Sequence, residues 1–144
     1  MIRKFKLDDM DAVLEIWLSA SIKAHDFVNP SFWESQLDDM RTIYLPSSIV
    51  YVHESNARVA GFYALAGEHL AAIFVRPEQQ GQGFGKAMMA HAKTLSKNLT
   101  LSVYKDNQPS VNFYLLQGFT IASEQLCEHT GQVEYTMHRV ADKF

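Results

Sequence analysis

The sequence predicts an α/β fold with a mixed, mostly antiparallel central sheet flanked by helices, as one domain over residues 1–144. Three observations predict it. Short segments with the two-residue period of strands alternate with segments that have the period of helices. A length of 144 residues is that of one domain. The apolar fraction of 47% and the charged fraction of 20% are ordinary for globular proteins, which excludes a disordered or collagen-like chain.

The first third of the chain is predicted to form a strand and two helices. Ile2 to Phe5 alternates in the manner of a strand. A helix with Asp8 as its expected N-cap follows, because its apolar residues recur at steps of three and four. After a polar break, Ser31 and Glu34 form an S-x-x-E capping box. That box predicts a second helix, which stops before Pro46.

The middle of the chain predicts three antiparallel strands joined by short turns. Ile49 to His53 is rich in β-branched and aromatic residues, and a turn at 55–58 leads to a return strand, Val59 to Leu65. Gly67 begins another turn. Leu70 to Val75 is a continuous apolar run, which is typical of a strand buried on both faces.

The remaining part predicts a helix, a strand, a helix and a closing hairpin. The first of these helices makes a crossover between strands, which suits parallel pairing of the strands on either side of it. Gly118 is the expected C-cap of the second helix. The elements are a glycine-led helix up to Ser96, the strand Leu99 to Tyr104, the helix Asn107 to Gln117, and the strands Phe119 to Leu126 and Val133 to Arg139. The predicted order is βααβββαβαββ.

Charge, cysteine content and hydropathy exclude several classes of function. The 13 basic and 16 acidic residues give a net charge of −3, so we expect no nucleic-acid partner. The single cysteine, Cys127, has no partner for an internal disulfide, and no Cys/His cluster has metal spacing, so we expect no metal. Asp8, Asp9 and Asp11 interrupt the N-terminal segment before a signal peptide or membrane helix can develop. We therefore expect a cytoplasmic protein with no membrane partner.

The most distinctive segment is the loop Gln80-Gly-Gln-Gly-Phe-Gly85-Lys86 between a strand and a helix. Glycine lets a backbone come close to a ligand, and the N–H groups of a helix's first turn suit phosphate oxygens. A Walker A loop would need glycine at position 80 and Ser or Thr at 87, and a dinucleotide fingerprint would need glycine at 86. Gln80, Ala87 and Lys86 stand there instead. A phosphate site of another kind and a turn without a ligand remain.

Two motifs in the right order resemble the GNAT N-acetyltransferases. Val75-x-Pro77-x-x-Gln80-x-x-Gly83-x-Gly85 is similar to the family's acetyl-coenzyme A motif, whose core is [Q/R]-x-x-G-x-[G/A]. Asn107 to Phe119 is similar to the signature N-x-x-A-x-x-F-Y-x-x-x-G-F, with Ser110 in place of the alanine. The resemblance covers essentially the whole chain, and it is close to short bacterial members, some of which acetylate protein lysines.

The resemblance implies the GNAT fold and an acetyl-coenzyme A-dependent N-acetyltransferase that acts on a primary amine of a small molecule or a protein. The alternative is a module that holds acetyl-coenzyme A as a sensor without turnover. The protein is expected to be a monomer or a homodimer. Specificity is expected to come from the first helices, Asp8 to Pro46, together with the closing hairpin or a second subunit. In the first helices, Phe27, Trp33 and Tyr44 either line an acceptor pocket or pack in the core.

The same resemblance implies which residues hold the cofactor. Backbone N–H groups from Gly81 to Lys86 would hold the pyrophosphate, and Ile73 to Val75 would present backbone groups to the pantetheine arm. Asn107 would bond the arm, although it fits a plain helix cap equally well. The expected cofactor-binding residues are Ile73, Phe74, Val75, Gln80, Gly81, Gln82, Gly83, Phe84, Gly85, Lys86, Asn107 and Asn112.

Tyr114 is the expected general acid for the leaving thiolate, because it matches the family's tyrosine position. The alternative for Tyr114 is a packed aromatic side chain beside Phe113. The backbone N–H of Val75 or Ile73 is expected to polarise the thioester carbonyl.

A base or a water path is also needed, because an alkylammonium titrates near about 10.4. His25 is one candidate, with Asp26 beside it to raise its pKa, and an exposed loop histidine is the other interpretation. Glu68 and His69, at the start of the central strand, are equal second candidates.

Overall fold

The computed structural model describes residues 1–140. Apart from short helical turns, its elements follow the order that the sequence predicts. The strands are β1 (Ile2–Lys4), β2 (Ile49–Ser55), β3 (Arg58–Ala66), β4 (His69–Val75), β5 (Leu99–Tyr104), β6 (Thr120–Leu126) and β7 (Val133–Arg139). The helices are α1 (Met10–Ala24), α2 (Pro30–Ser35), α3 (Leu37–Asp39), α4 (Phe84–Leu95) and α5 (Gln108–Leu116).

The strands form one mixed sheet in the order β1-β2-β3-β4-β5-β7-β6. Every neighbouring pair is antiparallel except β4 and β5, which are parallel. That parallel pair has a single register position, His69 opposite Thr100, whereas β5 stays paired with β7 from Leu99 to Tyr104. The predicted mixed sheet, its meander and its parallel crossover are therefore confirmed.

Apolar side chains cover both faces of the sheet. On one face, Trp17 of α1 and Trp33 of α2 pack with Phe62 of β3. On the other face, Met88 of α4 packs with Leu101 of β5. No helix within residues 1–140 is both long and apolar enough to cross a membrane.

A buried arginine fixes α1 against the end of β4. Arg76, which directly follows β4, is only 3% exposed. Its Nη1 donates to Glu15 Oε1 of α1 at 2.8 Å, and its Nη2 donates to the Val59 carbonyl of β3 at 3.0 Å. A buried cation is tolerated when its donors have such partners. The middle of α1 is thereby held beside the end of β4.

The start of the first helix differs from the sequence expectation. Asp8 is not its N-cap, because α1 begins at Met10 and Asp9 occupies the cap position. The Asp9 carboxylate accepts the backbone N–H of Lys6 at 2.8 Å, and Arg3 donates to it at 2.9 and 3.0 Å. These hydrogen bonds hold the pKa of Asp9 below its usual value, and those from Arg3 have the largest effect.

The second helix also differs. Ser31 does not cap it: Asn29 does, since its Oδ1 accepts the Ser31 backbone N–H at 2.9 Å. Pro30 occupies the first helical position, where its missing N–H costs nothing, and the cap therefore lies two residues earlier than Ser31. The segment up to Pro46 is also not one helix, because α2 and α3 are followed by a π-helical turn, Met40–Tyr44.

Candidate active site

The sheet opens between β4 and β5 into a cleft of about 730 Å³. After His69 and Thr100 the two strands are no longer paired. One wall is formed by residues Leu70 to Val75 and the other by Leu101 to Tyr104. Backbone groups on the facing edges lack strand partners there, so they can bind a ligand. The two strands therefore separate beyond the pair His69 and Thr100.

Strand β4 is not buried on both faces, contrary to the sequence expectation. Leu70 is buried, but Ala71 is exposed and the rest of the strand is half-buried, since this edge borders the cleft. Ala71 is also an extra residue in the pairing with β3, because Ala64 lies opposite Ala72 and the next pair is Leu65 with Leu70. Such a bulge bends the strand and disrupts the local ladder.

The glycine loop closes one end of the cleft. Gly81 and Gly83 have φ of +82° and +86°, in the left-handed region. A Cβ would meet nothing within 4 Å at either position, so glycine serves backbone conformation here and not space. Gly83 is the N-cap of α4. The loop, with Phe84 and Lys86, lines a second pocket of about 340 Å³, into which the free N–H groups of the first turn of α4 can point.

Gln80 braces this loop. Its Nε2 donates to the Val75 carbonyl at the end of β4 at 3.1 Å. Its Oε1 accepts a hydrogen bond from Lys23 Nζ of α1, also at 3.1 Å. Lys23 thereby adds a positive charge at the loop end of the cleft. Sequence analysis missed Lys23, because a helix-surface lysine has no local feature that distinguishes it from a solvated one.

Tyr114 lies in the cleft wall on α5. Its ring packs edge-on against Phe113 and Phe119, at centroid distances of 5.6 and 5.9 Å. Its hydroxyl has no hydrogen-bond partner in the described part of the chain. Burial raises the pKa of Tyr114 to about 12. The phenol is therefore protonated at neutral pH and free to donate.

Asn107 caps α5 and also lines the cleft. Its Oδ1 accepts the Ser110 backbone N–H at 3.4 Å, which confirms the cap. Its Nδ2 lies 3.3 Å from His25 Nε2. Because Oδ1 accepts from Ser110, Nδ2 is the donor toward His25, and Nε2 is the acceptor. The His25 proton is then carried by Nδ1.

His25 is not an exposed loop histidine. It is the C-cap of α1, only 7% exposed, and it lines the cleft. Its ring stacks on Trp33 at 5.0 Å and meets Phe27 and Tyr104 edge-on. Nδ1 is buried without a hydrogen bond.

The expected rise in the pKa of His25 is wrong in direction. Burial lowers the pKa, and the nearby Ser21 carbonyl offsets only part of that effect. Desolvation disfavours the imidazolium more than Asp26, an exposed neighbour, can favour it. His25 is neutral at pH 7, with its Nε2 lone pair directed at Asn107.

The other two base candidates lie outside the cleft walls. His69 is at the closed end, where its Nδ1 lies 2.9 Å from Thr100 Oγ1, and burial lowers its pKa. The side chain of Glu68 is exposed in the turn before β4, and its carbonyl accepts the Thr100 N–H at 3.0 Å. The structure therefore brings His25, Asn107 and Tyr114 together in one cleft. Glu68 and His69 lie outside it, where β4 and β5 begin.

The expected cofactor residues divide in the same way. Ile73, Phe74, Val75, Gln80, Gly81, Gly85 and Asn107 line the main cleft, and Gly83, Phe84 and Lys86 line the smaller pocket. Gln82 and Asn112 line neither pocket, and both are exposed.

A second group of residues lines the β5 wall of the cleft, across from the glycine loop. Tyr104 of β5 lies opposite Glu134 of β7, so the two side chains share the face that α1 covers. Both line the cleft. The Tyr104 hydroxyl lies 3.5 Å from Cys127 Sγ and accepts from Thr130 Oγ1 at 3.4 Å. Sequence analysis missed Tyr104 and Glu134, because the pairing of β5 with β7 is a long-range property.

Comparison with known proteins identifies relatives of the whole arrangement. The acetyltransferase (GNAT) family model matches residues 11–119. The chain is 36% identical to peptidyl-lysine N-acetyltransferase YiaC of Escherichia coli (strain K12) over 122 residues, 84% of each chain.

Two solved structures share the fold. The solution structure of apo-form YjaB from Escherichia coli superposes with a TM-score of 0.85 at 24% identity, over 99% of this chain and 98% of that one. PaiA N-acetyltransferase from Thermoplasma acidophilum in complex with coenzyme A gives a TM-score of 0.80 at 15% identity, over 97% and 98% of the two chains.

Proposed function

We propose, from the premise that the chain belongs to the GNAT acetyltransferase family, that its acceptor is the side-chain amine of a lysine in a protein or peptide. The protein is an acetyl-coenzyme A-dependent N-acetyltransferase. The relative YiaC, at 36% identity, is a peptidyl-lysine N-acetyltransferase. The observation that carries the proposal is the cleft between β4 and β5, which runs from the glycine loop past Tyr114 to the α1–α2 loop.

The coenzyme would lie along β4. Backbone N–H groups between Gly81 and Lys86 would hold the pyrophosphate, and Lys23 would add a positive charge beside them. Unpaired backbone groups of β4 would bond the pantetheine arm. Asn107 can contribute as well, because Oδ1 keeps one lone pair and Nδ2 one hydrogen beyond the bonds they already make.

The chemical step is a direct transfer. The deprotonated amine attacks the thioester carbonyl, a C–N bond forms, the C–S bond breaks, and its electron pair goes to sulfur. A backbone N–H of β4, from Ile73 or Val75, would stabilise the oxyanion. The Tyr114 phenol would donate a hydrogen bond to the leaving thiolate, which then takes up the proton that the acetylated nitrogen releases.

The proton of the ammonium group leaves through water in this proposal. His25 lines the cleft, but its Nε2 accepts a hydrogen bond from Asn107 Nδ2. Protonation of Nε2 would bring two N–H donors face to face and break this hydrogen bond. We therefore assign His25 to positioning Asn107. Glu68 and His69 can take the proton only through intervening water, because neither lines the cleft.

A panel of three acceptors tests the proposed function. The first is an N-terminally blocked peptide with one lysine, the second a lysine-free peptide with a free α-amine, and the third an aminoglycoside. We expect release of free thiol from acetyl-coenzyme A with the first. Turnover with only the second or third would refute the lysine proposal. Binding heat without thiol release from any acceptor would support the sensor alternative.

We also propose that the protein acts in the cytoplasm as a monomer or homodimer. Strands β1 and β6 are the edges of the sheet among the described residues, and β6 can pair with its copy. Light scattering during size-exclusion chromatography would show a mass of one or two chains. A larger assembly would contradict this proposal.

A further inference from the structure

We infer that Glu134 binds the ammonium group of the acceptor, on the wall of the cleft across from the glycine loop. The inference rests on the proposed function and adds the acceptor's binding site to it. It selects a primary amine carried on an apolar stem and free of a neighbouring carboxylate.

The two walls of the cleft carry opposite charges. Lys23 lies beside the glycine loop, where its Nζ donates to Gln80. Glu134 is the one carboxylate among the described residues that line the cleft, and it lies beside Tyr104 on the β5 wall. The phosphates of a cofactor and the ammonium group of an acceptor would therefore be drawn to different walls, and the acceptor nitrogen would face the thioester across the cleft.

The Glu134 carboxylate lacks a cationic partner. No lysine or arginine within residues 1–140 forms an ion pair with it, whereas Glu124 on the neighbouring strand β6 pairs with Lys105 at 3.2 Å. Glu134 accepts one hydrogen bond, from Gln125 Nε2 at 3.3 Å. A half-buried carboxylate can accept several more, so an ammonium group has a place there.

The carboxylate is held in position. Gln125 also donates to Thr136 Oγ1 at 3.0 Å, so the amide that contacts Glu134 is fixed from two sides. Fixed partners preserve the direction of a carboxylate and reduce the entropy lost when an ion pair forms.

An aromatic surface lies next to this carboxylate. The rings of Tyr104 and Phe27 meet edge-on at 5.7 Å, and both are half-buried. Burial, a hydrogen bond to Cys127 and, to a smaller extent, the charge of Glu134 raise the pKa of Tyr104 to about 12. The methylene stem of a lysine side chain would pack along the ring of Tyr104, which lines the cleft, while its ammonium group reaches Glu134.

The same arrangement disfavours other amines. A free α-amino acid carries a carboxylate beside its amine, and that charge would be repelled by Glu134. An internal lysine of a peptide has no such charge near its ε-amine. The site therefore favours side-chain amines over the α-amines of free amino acids.

Binding to the dead-end complex with coenzyme A tests the site without turnover. The probes are two N-terminally blocked peptides that differ only in lysine or norleucine at one position, titrated by calorimetry. We expect the lysine peptide to bind about tenfold more tightly, as for one hydrogen bond to a charged group. Glu134→Gln should abolish this preference and Glu134→Asp should keep part of it. Glu124→Gln, the matched control, should keep all of it.

Retention of the lysine preference in Glu134→Gln would overturn the inference, and so would its absence in the wild-type protein. The steady-state counterpart is a rise of about tenfold in the KM for the lysine peptide in Glu134→Gln, with the KM for acetyl-coenzyme A unchanged. An equal rise in both KM values would also overturn it.

Acetylation of lysine that does not depend on Glu134 would refute this site alone. A Glu134-dependent preference for lysine without any acetyl transfer would refute the proposed function alone.

Discussion

Replacing Tyr114 by phenylalanine removes one hydroxyl from the centre of the cleft. That hydroxyl makes no hydrogen bond in the described part of the chain, and the ring keeps its packing against Phe113 and Phe119. We therefore expect the free energy of unfolding to change by less than about 0.5 kcal/mol. Affinity for acetyl-coenzyme A should also stay close to that of the wild type.

The expected loss of turnover follows from the acidity of the phenol. Burial raises the pKa of Tyr114 to about 12, whereas an ordinary thiol titrates near about 8.5. Complete proton transfer from phenol to thiolate is therefore uphill, and the main contribution is a hydrogen bond to the thiolate. Such a charge-assisted bond contributes about 1.5–3 kcal/mol. At about 1.36 kcal/mol per factor of ten, kcat should fall about 10- to 150-fold.

Thiol release with saturating lysine peptide measures kcat, and calorimetry measures acetyl-coenzyme A affinity. Tyr135→Phe is the matched control, because Tyr135 packs in the same core but does not line the cleft. Unchanged kcat in Tyr114→Phe would refute the assigned role. A parallel loss of kcat and coenzyme affinity would show that the hydroxyl is structural. Because the phenol titrates near pH 12, no loss of activity from its ionisation should appear between pH 6 and 10.

Three further predictions concern the walls of the cleft. Gly83→Ala and its control Gly67→Ala both place a Cβ on a residue in the left-handed region. The free energy of unfolding, measured in urea, should therefore fall by about 1 kcal/mol in each variant. Only Gly83→Ala should raise the KM for acetyl-coenzyme A, by about tenfold. An equal rise in KM in both variants would contradict a phosphate site at the glycine loop. Asn107→Ala should lower the free energy of unfolding by about 1–2 kcal/mol, because α5 loses its cap and His25 Nε2 loses its donor. An unchanged free energy of unfolding would contradict the hydrogen bond between Asn107 and His25. The folded-state pKa of His25 lies below about 6.5, so the unfolded chain binds more protons and stability should fall as the pH drops below that value. The melting temperature of His25→Gln should fall less than that of the wild type as the pH is lowered. An equal pH dependence of the two melting temperatures would contradict the burial effect.

The order of elements could be predicted because its signals are local. Period-two and period-3.6 patterns, punctuated by glycine and proline, lie within short windows of sequence. The error at the second helix occurred where two local signals competed. Asn29 and Ser31 are both good helix caps, and only the presence of Pro30 between them favours the earlier one.

The site could be predicted only in part. The family resemblance indicated the glycine loop, Asn107 and Tyr114 as site residues, because the motifs that carry it are local, and Asn107 and Tyr114 line the cleft. The burial of His25 depends on contacts with Trp33 and other distant aromatic rings, which no local window contains. Glu134 reaches the cleft through strand register alone.

A crystal structure with acetyl-coenzyme A bound tests the central claim most directly. The account predicts the pyrophosphate on the backbone of Gly81 to Lys86, the pantetheine arm along β4, and the thioester sulfur within hydrogen-bonding distance of the Tyr114 hydroxyl. Coenzyme bound outside the opening between β4 and β5, or a sulfur beyond the reach of Tyr114, would contradict it.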